Sequence, residues 1–162
     1  MSTFLGGSEV SGMYLGSNEI SEMYLGSNLI YSSSGWPYET LRVSKDGGAT
    51  WEDYGRPVEV EAWMFESRGV THVELPDSII SIEASAFWDN SIETLYIPES
   101  VKTIAQHAFR KNQLTYVEFP ETLESIGLRA FQENYNLAEV RISSRTTYTS
   151  TSFDIHTNII TY

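Results

Sequence analysis

Four segments of the chain recur at a spacing of about 22 residues, and no other feature constrains the fold as much. They read Val70-Thr-His-Val-Glu-Leu-Pro76, Ile92-Glu-Thr-Leu-Tyr-Ile-Pro98, Leu114-Thr-Tyr-Val-Glu-Phe-Pro120 and Leu137-Ala-Glu-Val-Arg-Ile-Ser143, with steps of 22, 22 and 23. The extra residue of the last step falls in Asn134-Tyr135-Asn136. The rest of each row repeats too. Ile82, Ile104 and Ile126 align, as do Ala86-Phe87, Ala108-Phe109 and Ala130-Phe131, then Asn90, Asn112 and Asn134. Counting back from Phe87 puts Phe65 in the same column and Met64 in the Ala slot, so a degenerate first coil begins near Pro57 or Val58. Such a period marks stacked units, none of which buries its apolar face alone.

Each column has a physical reading. Apolar residues at the first, fourth and sixth strand positions (Ile92, Leu95 and Ile97 in the second row) point into the stack. Proline follows where the chain leaves the ladder, so its missing N–H is not needed there. The Ala-Phe pair combines close approach with a large side chain, which predicts a spine of Phe65, Phe87, Phe109 and Phe131. The recurrent Asn suits a side chain that bonds turn backbone. The expected fold is mainly β: a parallel solenoid of about four coils, with short strands and turn-like or briefly helical returns.

The rows Leu95-Tyr-Ile-Pro-Glu-Ser-Val-Lys-Thr-Ile-Ala-Gln-His-Ala-Phe109 and Val117-Glu-Phe-Pro-Glu-Thr-Leu-Glu-Ser-Ile-Gly-Leu-Arg-Ala-Phe131 resemble BspA-type leucine-rich repeats. The resemblance covers residues 57–143 and implies a ligand-binding or adhesive surface, typical of bacterial and protozoan surface proteins. Asn90, Asn112 and Asn134 stand where that family often has Cys. The export and anchoring signals usual in the family are not seen in this sequence.

The first 35 residues repeat at a different period. Thr3–Gly12, Met13–Glu22 and Met23–Ser32 are decapeptides, each reading as short strand, Gly-rich turn and short strand. This predicts β-hairpins or a small antiparallel meander, too small for a core of its own. The Tyr-Leu-Gly units resemble repeats in tail and baseplate proteins of phages of Gram-positive bacteria. That resemblance implies an attachment module, with Met13, Tyr14, Leu15, Met23, Tyr24 and Leu25 as its candidate contacts. Between the two repeat systems, Ser44-Lys-Asp-Gly-Gly-Ala-Thr-Trp51 resembles the Asp-box of sialidase-like propellers. It implies a hairpin over residues 36–56, with Asp46 tying the turn and Trp51 packed beneath it.

Composition removes several function classes. Ten Lys and Arg stand against 22 Asp and Glu, giving −12, which disfavours phosphate backbones and hence nucleic acid. With no cysteine there is no disulfide, thiolate zinc site or cysteine nucleophile. No apolar run is long enough to span a membrane, and the start does not read as a signal peptide. The charge is uneven: no Lys or Arg precedes Arg42, whereas Glu9, Glu19, Glu22 and Glu39 do.

Catalytic and metal readings are weak. His72, His107 and His156 share no column, so no common metal site and no cofactor is expected. Glu74 and Glu118 occupy one column two coils apart, roughly 10 Å by strand spacing, but on an open face that raises neither pKa. A sialidase site would also need several converging arginines. The chain reads as a non-enzyme.

Its outward strand positions form two columns, His72/Thr94/Tyr116/Glu139 and Glu74/Tyr96/Glu118/Arg141. Exposed solenoid sheets bind partners, and tyrosines among charges suit an interface. In the simpler alternative, Tyr96 merely separates two like charges across the ladder. Residues 144–162 read as a C-terminal cap. Phe153 falls one residue short of the Phe column stepped by 23, which predicts a distorted last coil. The apolar end is expected either to contact another copy or to be covered by the tail.

The leading functional expectation is a phage virion component of the tail, baseplate or fibre. It would be made in the host cytoplasm, attached through residues 1–35 to other virion proteins, and would offer its solenoid to a host glycan or protein. It is expected to act as a homo-oligomer or within a larger assembly. The alternative is a bacterial cell-surface adhesion or interaction module; the third is a carbohydrate-active protein related to Asp-box sialidases.

Overall fold

The computed structural model describes strand residues 3–5, 8–11, 22–25 and 28–32, and all residues from 39 to 162. They divide into two units, Met1–Glu39 and Thr40–Tyr162. In the first, β1 (Thr3–Leu5), β2 (Ser8–Ser11), β3 (Glu22–Leu25) and β4 (Asn28–Ser32) form an antiparallel sheet in sequence order. The first and third decapeptides each supply a hairpin, β1–β2 and β3–β4, and Val10 opposes Leu25 where the two meet. Met23, Tyr24 and Leu25 belong to β3. Met13, Tyr14 and Leu15 lie outside the described residues.

The second unit is a parallel β-solenoid of five coils, with no helix among the described residues. It begins with a hairpin of β5 (Arg42–Ser44) and β6 (Glu52–Asp53). Each coil then carries two strands. The first strands are β7 (Glu59–Val60), β9 (Ser81–Ile82), β11 (Thr103–Ile104), β13 (Ser125–Ile126) and β15 (Thr147–Tyr148). The second are β8 (His72–Glu74), β10 (Thr94–Tyr96), β12 (Tyr116–Glu118), β14 (Glu139–Ile142) and β16 (Asn158–Thr161).

The Ile column is thus a ladder of its own rather than part of a return. β7, β9, β11, β13 and β15 pair in parallel, with Val60, Ile82, Ile104, Ile126 and Tyr148 in register. Two-residue strands escape a sequence reading because period-2 alternation needs more length to show. The opposite sheet comes in pieces: β10 pairs β12 and β14 pairs β16, both parallel, while β8 pairs antiparallel with β5. The hairpin is therefore built into the solenoid, with Leu41 and Val43 fully buried in its core.

The Phe column stacks as predicted and extends further. Centroids of Phe65, Phe87, Phe109 and Phe131 follow one another at 5.0, 5.1 and 5.4 Å, with planes within 14°. Phe153 continues the stack at 5.3 Å and 8°, correcting the expectation that it falls out of register. The reason lies in the corners. The step from β12 to β14 is 23 residues, but the step from the start of β14 (Glu139) to the start of β15 (Thr147) is one residue shorter than its counterparts. One corner's insertion is cancelled at the next, and the spine stays at 22.

Sharp turns carry the chain around the spine. Two columns of non-glycine residues have positive φ: Trp63, Ser85, His107 and Arg129 at 56–60°, then Ser67, Asp89, Lys111 and Glu133 at 52–63°. The first column sits at the third position of turns closed by bonds such as Ala86 N–H to Glu83 O (3.2 Å) and Ala130 N–H to Gly127 O (3.3 Å). This is the type II arrangement that ordinarily calls for glycine. The strain, on the order of 1–2 kcal/mol per residue, is held by stacked backbone bonds. Phe87 N–H reaches Ala108 O and Phe109 N–H reaches Ala130 O, both at 2.8 Å.

The recurrent Asn side chains bond between coils as well as within turns. Asn112 Oδ1 accepts from Ile92 N–H (3.1 Å), and its Nδ2 donates to Phe87 O (2.8 Å) and Phe109 O (3.1 Å). Asn134 repeats this with Leu114 N–H, Phe109 O and Phe131 O, and Asn90 with Val70 N–H, Phe65 O and Trp88 O. Asp154 accepts from the Glu133 and Asn134 amides at 3.0 and 2.9 Å, closing the last coil. Gly127 marks close approach: a Cβ there would meet Ala105 C and Gln106 N at 2.6 Å.

Candidate interaction surface

The outer face of β8, β10, β12 and β14 is exposed because alternate strand residues point away from the Phe spine. Thr94 lies opposite Tyr116 and Tyr96 opposite Glu118, so both outward rows occur in register across β10 and β12. The structure continues these rows at both ends with residues that the repeat pattern alone does not reveal. On β8, Arg42 lies opposite Glu74 and Ser44 opposite His72; beyond β14, Asn158 lies opposite Glu139 and Ile160 opposite Arg141.

The two ends of the face differ. At β8 the hairpin occupies the polar groups. Arg42 is ion-paired with Glu74, its Nε lying 2.7 Å from Oε2, and its guanidinium sits 5.1 Å from the centre of the Trp51 ring. His72 lies edge-on to Trp51 at 6.4 Å, with Nδ1 3.1 Å from Thr71 Oγ1. Glu74 and Glu118 are separated by Tyr96, and Glu74 already has its cation. Asp46 is engaged locally: Thr50 N–H and Oγ1 donate to its carboxylate at 2.8 and 2.6 Å, and Ser44 Oγ donates at 2.8 Å. Those bonds, the Thr50 hydroxyl first, lower its pKa from 3.8 to about 2. Arg42 could have been found from the apolar–polar alternation of Leu41-Arg-Val-Ser44 before the turn.

The middle and far end remain open. Tyr96 and Tyr116 are 43% and 48% exposed, their rings 5.9 Å apart and inclined at 57°. Tyr116 Oη donates to Glu118 Oε2 at 3.3 Å. Desolvation, then the Glu118 charge, raises the Tyr116 pKa, so the phenol stays a donor. No ladder joins β12 to β14 among the described residues, and a groove of about 640 Å³ lies along that seam. Tyr116, Glu118, Glu121, Glu139 and Arg141 line it, with Ile160 and Tyr162 from the last coil. The seam coincides with the 23-residue step. Arg141 is only loosely held, 3.7 Å from Glu139.

His107 and His156 stand away from this face. His107 occupies a return turn beside Trp88, with ring centroids 6.4 Å apart, and its Nε2 is buried without a partner. Burial, then Arg110 and Arg129, lowers its pKa. His156 is exposed in the last coil. Among the described residues, no three His, Asp or Glu side chains converge on a possible metal position.

Compared with known families, residues 58–160 match the BspA type leucine rich repeat region, in six copies. The match extends past residue 143 into the last coil, where Phe153 and β16 complete the stack. No curated protein matches the chain significantly.

Proposed function

The chain belongs to the BspA type leucine-rich-repeat family, and from that premise we propose a non-enzymatic recognition protein that binds through the outer face of β10, β12 and β14. The observation that carries this reading is the exposed Tyr96–Tyr116 pair beside the groove at the β12–β14 seam. Tyrosine pairs present a large contact area at small entropy cost, and their hydroxyls remain available to a partner. Thr94, Glu118, Glu139 and Arg141 are the polar rim of the surface; His72 and Glu74 shape its hairpin-covered end. A rigid stack suits this role, because the face loses little freedom on binding.

The fuller proposal is a phage virion component. The decapeptide repeats of residues 1–35, through Met13, Tyr14, Leu15, Met23, Tyr24 and Leu25, attach the chain to the tail, baseplate or fibre. The solenoid then meets a glycan or protein on the host, and several copies per particle multiply weak contacts by avidity. The resemblance of those repeats to tail and baseplate units supports this reading, as does the family's association with surface recognition. A bacterial surface adhesin would use the same face with a different attachment.

Two measurements test the proposal. Labelled full-length chain should bind intact Gram-positive cells, and Tyr96→Ala/Tyr116→Ala should abolish that binding while the far-ultraviolet spectrum is unchanged. Antibody against the chain should decorate purified phage particles. Undiminished cell binding by the double variant refutes the face, and unlabelled particles refute the virion assignment.

A further inference from the structure

The groove at the β12–β14 seam carries a charge that the rest of the face does not balance. Glu118, Glu121 and Glu139 line it against the single cation Arg141. Glu118 receives only the Tyr116 hydroxyl, and Arg141 approaches no closer than 3.7 Å to Glu139. At the other end of the same rows, Glu74 is neutralised by Arg42, which also stacks over Trp51. The hairpin thus shows a cation seated between a carboxylate and an aromatic ring on this sheet. The seam presents similar elements, with the Glu118 carboxylate beside Tyr116 and no ion pair made by Glu118 among the described residues.

Building on the reading of this face as an interaction surface, we propose that the seam binds a lysine or arginine side chain of an extended basic peptide. Tyr116, which lines the groove, offers its ring to the cation, and Glu118 and Glu139 offer it charge. A neutral saccharide is less well matched, because rings inclined at 57° give no flat stacking platform. An anionic ligand would have to overcome the net negative lining.

Fluorescein-labelled octalysine, titrated against the full chain and followed by anisotropy, tests this. Glu118→Gln and Tyr116→Ala should each weaken binding about tenfold, while Glu59→Gln on the opposite ladder should leave it unchanged. Arg141→Ala removes the internal competitor and should tighten binding several-fold, a gain that misfolding cannot produce. Equal losses in Glu118→Gln and Glu59→Gln would reduce the effect to diffuse attraction and overturn the proposal. So would weaker binding by Arg141→Ala, or displacement of the peptide by maltohexaose. If octalysine ignores every variant while Tyr96→Ala/Tyr116→Ala still abolishes cell binding, the cation site falls and the face stands. If the double variant changes neither, both fall.

Discussion

Replacing Asn112 by alanine should cost about 2–6 kcal/mol, and the three Asn positions should not be equivalent. The side chain of Asn112 is the sole partner of Ile92 N–H and Phe87 O, both inside the stack, whereas Phe109 O keeps a second donor in Asn134. Two buried backbone groups are therefore orphaned, at about 1–3 kcal/mol each. Asn134→Ala orphans Leu114 N–H and Phe131 O and should cost about as much. Asn90→Ala should cost about half. It orphans only Val70 N–H, because Phe65 O retains the Arg68 amide and Trp88 O retains the Ser67 amide. Urea unfolding followed by circular dichroism and tryptophan fluorescence would measure the series. A loss below about 1 kcal/mol for Asn112→Ala, or three equal losses, would refute the claim that the amides serve as backbone partners.

Gly127→Ala should destabilise by about 1–3 kcal/mol, since the new methyl meets the backbone of the preceding coil rather than a movable side chain; the same urea series reads it. Arg129→Gly should do the opposite. Its side chain is exposed and its φ is 56°, so relief of left-handed strain should raise stability by up to about 1 kcal/mol in urea. The lowered pKa of His107 makes stability fall as pH drops through 6.5, where the unfolded chain takes up a proton that the fold resists until its own lower pKa is passed. His107→Asn, which tolerates the left-handed backbone, should flatten the melting temperature between pH 7.5 and 5.5. An unchanged slope would exclude His107 as its source.

Much of this was legible because solenoid columns are enforced by contact with identical neighbours. Phe87 and Phe109 must stack, and Asn112 must reach the previous coil, so each leaves the same residue 22 places on. The second ladder was harder to see because each of its strands is two residues long, and only the Ile column hinted at it. The left-handed turns were invisible, since Ser85, His107 and Arg129 share no side-chain chemistry. What holds them is backbone bonding between coils, which leaves no side-chain signature. The outward rows follow from strand alternation, and β10 and β12 hold them in register; their division into a filled half and an open half depends on β5 docking against β8. The Ser44–Trp51 pattern concerns its own turn and does not encode that docking.

The paired corners around residues 134–136 and 143–146 set a rule for how such a molecule can change length. A lone insertion would turn every later coil out of phase with the Phe spine, whereas an insertion matched by a nearby deletion leaves later coils in phase. The stack therefore grows or shrinks by whole coils, in notches of about 4.8 Å. Single-residue slips, in compensated pairs, become a means of reshaping one corner while the column of rings runs on unbroken. A lineage of these chains could reshape a corner on one coil or another without disturbing the column that holds the coils together.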